Sequence, residues 1–155
     1  MAKLIQITDL HLVPPGKLAS HVLDTNAILE ETINEILRKK DYFGKIEGLV
    51  VTGDVSDDGS IESYLSAHEK LIKLNVPVLV IPGNHDLRNP MREVFNEHVE
   101  FSTKSSQFDW VFKYEETVIV GLDSLVEGEN FGFLEKTSLE FLSNQLSIHL
   151  SLIHI

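Results

Sequence analysis

Cysteine is absent from the 155 residues, which removes disulfides and thiolate metal sites together. Any metal held here must be bound by histidine, carboxylate or amide oxygen, and the lack fits a reducing compartment. Long apolar runs are missing too. The N-terminal stretch Met1-Ala-Lys-Leu-Ile-Gln-Ile has one cation and is interrupted at Gln6, well short of a secretory segment or a membrane span. It reads as the first strand of a cytoplasmic protein with no membrane partner. Cations are scarce: Lys and Arg number 13 against 24 Asp and Glu, for a net charge of -11. That argues against a face for a nucleic-acid polymer, which needs clustered Lys and Arg. A phosphate substrate stays open, because bound divalent cations reverse the local potential. No repeat, low-complexity tract or linker interrupts residues 1–155, so one domain is expected, and 43% hydrophobic residues suffice for its core.

What the chain does contain is an alternation. Leu4–Thr8, Gly48–Thr52 and Val76–Ile81 are too short for helices and rich in β-branched residues, as buried parallel strands are. Between the first two lie a loop with Pro14-Pro15-Gly16 and a helix opened by Asp24 or Thr25. Ile28, Leu29, Ile33, Ile36 and Leu37 form its inner stripe, and Arg38-Lys39-Lys40 its cationic end. Ser60 opens a second helix with Ile61, Tyr64, Leu65, His68, Leu71 and Ile72 inward, broken at Asn75-Val76-Pro77. This βαβαβ order implies parallel strands with right-handed crossovers. Further on, Asp109–Tyr114 and Thr117–Leu122 read as a hairpin around Glu115-Glu116. Thr137-Ser-Leu-Glu140 spells a capping box for a helix with Leu139, Leu142 and Leu146 inward, and Ser151–Ile155 starts another strand.

Each parallel strand ends in a short polar element: Asp9-Leu10-His11, Gly53-Asp54, and Gly83-Asn84-His85-Asp86. Ligands of open α/β sheets bind beyond the carboxyl ends of strands, so the three elements aim carboxylate, imidazole and amide groups at one edge. Phosphate ester hydrolysis needs neutralised oxygens, an activated water and help for the departing alkoxide, and two metal ions about 3.5 to 4 Å apart supply the first two. Asp9 and His11 can converge on one ion, Asp54 can bridge two, and Asn84 offers a neutral oxygen to the second. This donor set suits Mn, Fe or Zn. His85 stands beside a bound phosphate as a proton or hydrogen-bond donor. Gly53 and Gly83 allow sharp turns, while Asp57, Asp58 and Asp86 are placed to orient imidazoles or tie loops. Each element alone has an ordinary explanation as turn chemistry, whereas their joint order does not. Of the other histidines, His68 reads as a packed helix residue and His21, His98 and His149 as surface. Arg88 either contacts phosphate or pairs with Glu93.

These residues resemble the calcineurin-like metallophosphoesterase superfamily, whose motifs run Asp-x-His, Gly-Asp, Gly-Asn-His-Asp. Thr8–Leu12, Thr52–Asp58 with Tyr64, Ile81–Arg88 and Gly121-Leu-Asp-Ser124 are most similar to class III cyclic-nucleotide phosphodiesterases. The resemblance implies an α/β fold, a two-sheet αββα sandwich flanked by helices, and two divalent metal ions, Fe, Mn or Zn. It also implies hydrolysis of a small-molecule phosphodiester, with 3′,5′-cyclic AMP typical. By position, Asp9 and His11 hold the first metal, Asp54 bridges, Asn84 holds the second and meets substrate, and His85 assists at the phosphate or leaving group. Another activity of the superfamily, a phosphomonoesterase or nucleotide pyrophosphatase, is the alternative, as is a non-catalytic binding or scaffold module. The family's later histidine and Gly-His-x-His element have no counterpart, since His149 and His154 lack their spelling. The expectation is therefore a sandwich incomplete at its C-terminus, with a weak second metal site and a tendency to form homo-oligomers.

Overall fold

The computed structural model describes residues 2–103 and 106–149. Strands β1 (Leu4–Ile7), β2 (Gly48–Thr52) and β3 (Val78–Ile81) form a parallel sheet in the order β1-β2-β3. Ile5 pairs with Leu49 and Val51 with Val80. Val78, Leu79 and Val80 are buried in succession, as befits a strand covered on both faces. β1 stops one residue before Thr8, because Asp9 already has a left-handed backbone, and β3 starts past Pro77, which has no N–H to give a ladder.

Helix α1 (Thr25–Arg38) and the short α2 (Lys40–Phe43) connect β1 to β2, and α3 (Ile61–Leu71) connects β2 to β3. Asp24 caps α1 by accepting from Ala27 N–H at 2.9 Å, and Ser60 caps α3 by accepting from Ser63 N–H. Both inner stripes are narrower than the apolar periodicity suggests. Leu29 and Ile33 are buried in α1, but Ile28 and Leu37 are exposed. In α3 the buried residues are Ser63, Tyr64, Ser66, Ala67 and Leu71, while Leu65 and Ile72 face solvent. The rotation has a polar cause. Asn26 Oδ1 on α1 accepts from Ser66 Oγ at 2.5 Å and from Lys70 Nζ at 3.1 Å, so small polar residues form the seam.

The second sheet is antiparallel, ordered β4 (Glu100–Phe101), β5 (Trp110–Tyr114), β6 (Thr117–Gly121), with the expected hairpin at Glu115-Glu116. Phe108, Trp110 and Phe112 enter the same apolar cluster as Leu49, Val51 and Leu79, so the two sheets share one core. Trp110 Nε1 donates to Val80 O at 2.6 Å, tying β5 to β3. Gly121 makes room for this indole, since a Cβ there would lie 2.2 Å from Trp110 Cε2. Two further helices follow the third and sixth strands, α4 (Arg88–Val94) and α5 (Lys136–Ile148). The capping box does not form: α5 starts at Lys136 after Glu135, with no side-chain cap bond. Its buried residue is Ser138, whose Oγ donates to Asp109 Oδ2 at 2.7 Å. That anchor rotates Leu139 and Leu146 outward, contrary to the apolar pattern. The expected strand Ser151–Ile155 lies outside the described residues. Among the described residues no helix is long and apolar enough to cross a membrane.

Candidate metal centre

Beyond the ends of β1 and β2 the two chains stay zipped together. Asp9 N–H donates to Gly53 O at 3.2 Å, His11 N–H to Asp54 O at 2.9 Å, Leu12 N–H to Val55 O at 3.0 Å and Asp57 N–H to Leu12 O at 2.9 Å. Within this run Asp9 (φ 55), His11 (φ 44) and Asp54 (φ 47) all lie in the left-handed region. For non-glycine residues this backbone costs on the order of 1–3 kcal/mol each, and such strain gathers at functional sites. It tips the three side chains toward one point. His11 Nε2 is 3.7 Å from Asp54 Oδ2 and 4.0 Å from Asp9 Oδ1. One ligand atom from each of Asp9, His11 and Asp54 fits within 4.8 Å of the others. Donors about 2.0–2.2 Å from a single ion stand roughly 3–4 Å apart, so the set fits a divalent cation. Among the described residues no Lys or Arg forms an ion pair with Asp9, Asp54 or Asp57.

The third motif is pressed onto the second. A Cβ on Gly83 would lie 2.2 Å from Asp54 Oδ1 and 2.4 Å from Asp54 N, so only glycine fits. His85 N–H donates to Asp54 Oδ1 at 3.1 Å, and Asn84 lies exposed between Gly83 and His85. The His11 and His85 rings meet edge-on, with centroids 4.8 Å apart. Between them stands Asp57: its Oδ1 is 3.1 Å from His11 Nδ1 and 3.6 Å from His85 Nδ1, while its main-chain oxygen is 3.1 Å from His85 Nδ1.

Asp86 ties the loops from beneath. It is fully enclosed and accepts from Val55 N–H at 3.1 Å, Ser56 N–H at 3.0 Å, Gly83 N–H at 2.8 Å and Tyr64 O–H at 3.1 Å. Burial pushes its carboxyl above the usual carboxylate range, and these donors oppose the rise. Burial likewise raises the Tyr64 phenol, whose oxygen also accepts from Leu87 N–H at 2.8 Å. A phenol on an apolar stripe signals a buried partner, yet nothing in the spacing says that the partner is Asp86. Arg88 takes neither role expected of it. Its Nε donates to the buried Asp123 at 2.5 Å, with Leu125 O and Glu127 as further partners, which docks the start of α4 on the end of the second sheet. His21 and His98 are exposed, and His68 is half-buried edge-on to Phe95. His149 differs from its surface reading, being half-buried with Nε2 enclosed and without a partner among the described residues.

A cavity of about 650 Å³ opens at the site. Asp9, His11, Asp57 and His85 line it together with the apolar Leu23, Ile28 and Leu29. The family pattern of the calcineurin-like phosphoesterases matches residues 2–150. The chain belongs to this family. Metallophosphoesterases use divalent metal ions, and the groups of this chain that could hold one gather at this acidic, imidazole-bearing edge. A protein of Arcobacter nitrofigilis named as a probable glycerophosphodiester phosphodiesterase is 33% identical over 144 residues, 93% of this chain and 51% of the relative. The 3′,5′-cyclic adenosine monophosphate phosphodiesterase of Haemophilus influenzae is 32% identical, over 93% of this chain and 50% of its own length. A 3′,5′-cyclic-nucleotide phosphodiesterase of Nostoc is 30% identical over 94% of this chain and 51% of its own. The chain therefore spans about half the length of the curated relatives it matches.

Proposed function

We propose that the protein is a metal-dependent phosphodiesterase with two divalent ions, Fe, Mn or Zn, acting on 3′,5′-cyclic AMP. The observation that carries this reading is the convergence of Asp9, His11 and Asp54, held by strained backbone at the ends of two zipped strands. Asp9 and His11 would hold the first ion, Asp54 would bridge, and Asn84 would serve the second. Divalent ions supply Lewis-acid polarisation of phosphate oxygens and lower the pKa of water. The protein's own groups do the rest. His85 faces the site with Nδ1 turned to the Asp57 carbonyl, so Nε2 is the atom directed to substrate, and in the doubly protonated ring it would hydrogen-bond the phosphate or protonate the departing oxygen. The Asn84 amide orients the same phosphate, and Leu23, Ile28 and Leu29 add apolar surface to the cavity. The relative named for glycerophosphodiesters supports a second reading, in which that diester is the substrate.

Equilibrium dialysis of the 155-residue chain against Mn²⁺, with elemental analysis, tests the site. One ion bound in the parent and lost in Asp54→Ala is expected, and no binding by the parent would overturn the reading. In the whole protein, cyclic AMP and bis(p-nitrophenyl) phosphate should be hydrolysed in preference to p-nitrophenyl phosphate. There His85→Ala should slow turnover about 10²- to 10⁴-fold with metal retained. Loss of metal in His85→Ala would make that residue a ligand instead.

A further inference from the structure

Two sets of donors meet at this edge, and His11 belongs to both: Asp9 with Asp54, and Asp57 with His85. The two nitrogens of an imidazole point away from each other, so one ion cannot take both. The distances divide them. Nε2 lies toward Asp54 at 3.7 Å and Asp9 at 4.0 Å, and Nδ1 lies toward Asp57 Oδ1 at 3.1 Å. Asp57 is thus on the far side of the ring from the acidic pair. Its carboxylate accepts a hydrogen bond from the protonated Nδ1, which leaves Nε2 bare in the neutral ring. Asp57 also meets His85, but through a different group: its main-chain oxygen is 3.1 Å from His85 Nδ1, nearer than its carboxylate at 3.6 Å.

We propose that Asp57 is a positioning residue serving both imidazoles, its carboxylate fixing His11 with Nδ1 protonated and Nε2 free for metal, its carbonyl fixing His85 independently of the side chain. The inference rests on His11 being a metal ligand only for its effect on affinity. The tautomer of His11 follows from the hydrogen bond alone. A carboxylate partner of this kind holds a ligating imidazole in register and raises its basicity, and its loss typically costs about 10- to 100-fold in metal affinity. The backbone of Asp57 is itself held, since its N–H donates to Leu12 O at 2.9 Å, so a side-chain change leaves the carbonyl where His85 needs it. The sequence places Asp57 to orient an imidazole without saying which, and its carboxylate lies nearer His11 than His85. The neighbouring Asp58 is equally acidic, yet its carboxylate is spent on Ser56, Ser60 and Ser63.

The test uses Asp57→Ala and Asp57→Asn beside the parent chain, with far-UV circular dichroism confirming the fold. Long-range ¹H–¹⁵N spectra of the metal-free proteins at about pH 8, above the ordinary histidine range, report which ring nitrogen carries the proton. His11 should show Nδ1–H in the parent and in Asp57→Asn, whose amide oxygen still accepts, and shift to the Nε2–H form in Asp57→Ala. His85 should keep Nδ1–H in all three. Mn²⁺ affinity, read from the free-ion electron paramagnetic resonance signal, should fall about 10- to 100-fold in Asp57→Ala and recover most of that in Asp57→Asn. An unchanged His11 tautomer in Asp57→Ala would overturn the proposal, as would loss of the His85 pattern in that variant. Absence of Mn²⁺ binding in the parent would instead remove the proposed metal function while leaving the tautomer result to decide the inference. Should Asp57→Ala not fold, Asp57→Asn and Asp57→Ser decide: equal His11 spectra in both would overturn it, because serine is too short to reach.

Discussion

The two sheets bury carboxylates for opposite purposes. Beneath the parallel sheet, Asp86 receives three main-chain N–H groups and a phenol, with no ion pair among the described residues, and its duty is to hold the loops that carry Asp54 and His85. In the antiparallel half, Asp123 receives Phe108 N–H and Leu125 N–H and also the guanidinium of Arg88, while Asp109 receives Asp123 N–H and Ser138 Oγ. One network shapes a site by donors alone. The other joins elements far apart in sequence through charge. The covering differs as well: β2 and β3 are nearly all buried, whereas Thr117–Val120 of β6 are half-buried and α5 exposes Leu139, Leu146 and Ile148. Chemistry is therefore concentrated where the packing is complete.

The largest effect expected is from Asp123→Ala. It leaves the largely buried Arg88 without its partner, and breaking such a pair costs about 3–5 kcal/mol. Asp86→Ala, which strands three N–H groups, should cost about 3 kcal/mol. Urea denaturation measures both. The comparison breaks if Asp86→Ala proves nearly neutral, for the site loops would then be held by something other than their hub.

Glycine supplies a matched pair. Gly83→Ala drives a Cβ into the main chain and carboxylate of Asp54, and Gly121→Ala drives one into an indole fixed by its bond to Val80 O. Each should destabilise by about 1–3 kcal/mol, the range for overpacking. Only Gly83→Ala should also abolish Mn²⁺ binding, because only it displaces Asp54. Equal metal affinity in the two variants would separate the third motif from the site.

The same contrast governs what was legible in the sequence. The parallel strands, their helices and the convergence of Asp9, His11 and Asp54 follow from apolar runs that each end in a polar element, because local backbone geometry does the positioning. The partners of Arg88 and Tyr64, and the choice Asp57 makes between two imidazoles, do not follow, since each contact is made across the fold by a side chain with no fixed spacing to its partner. The helix stripes fail for a related reason: apolar periodicity cannot see that Ser66 on Asn26, or Ser138 on Asp109, sets the rotation of a helix. Ser138→Ala should therefore cost about 1–2 kcal/mol by leaving a buried carboxylate oxygen unpaired. Leu139→Ala, on the stripe that periodicity favours, should stay within about 0.5 kcal/mol as an exposed position. The reverse order of midpoints in urea would restore the apolar stripe as the packing face.

The smallest effect is a slope. Burial opposes ionisation of Asp58, but hydrogen bonds from Ser60, Ser63 and Ser56 outweigh it and hold the carboxyl below its ordinary value. The folded chain thus binds fewer protons at Asp58 than the unfolded chain as the pH drops below about 4, so the stability it lends is present above that range and lost as pH falls through the folded value. Asp86, raised by burial, runs the other way, its contribution being lost as pH rises through its folded value. Removing Asp58 by Asp58→Asn should flatten the acid limb of the stability profile while leaving the opposite contribution of Asp86 in place. Urea midpoints measured from neutral pH down to about pH 3 resolve the two, and an acid limb as steep in Asp58→Asn as in the parent would assign the acid sensitivity to other carboxylates.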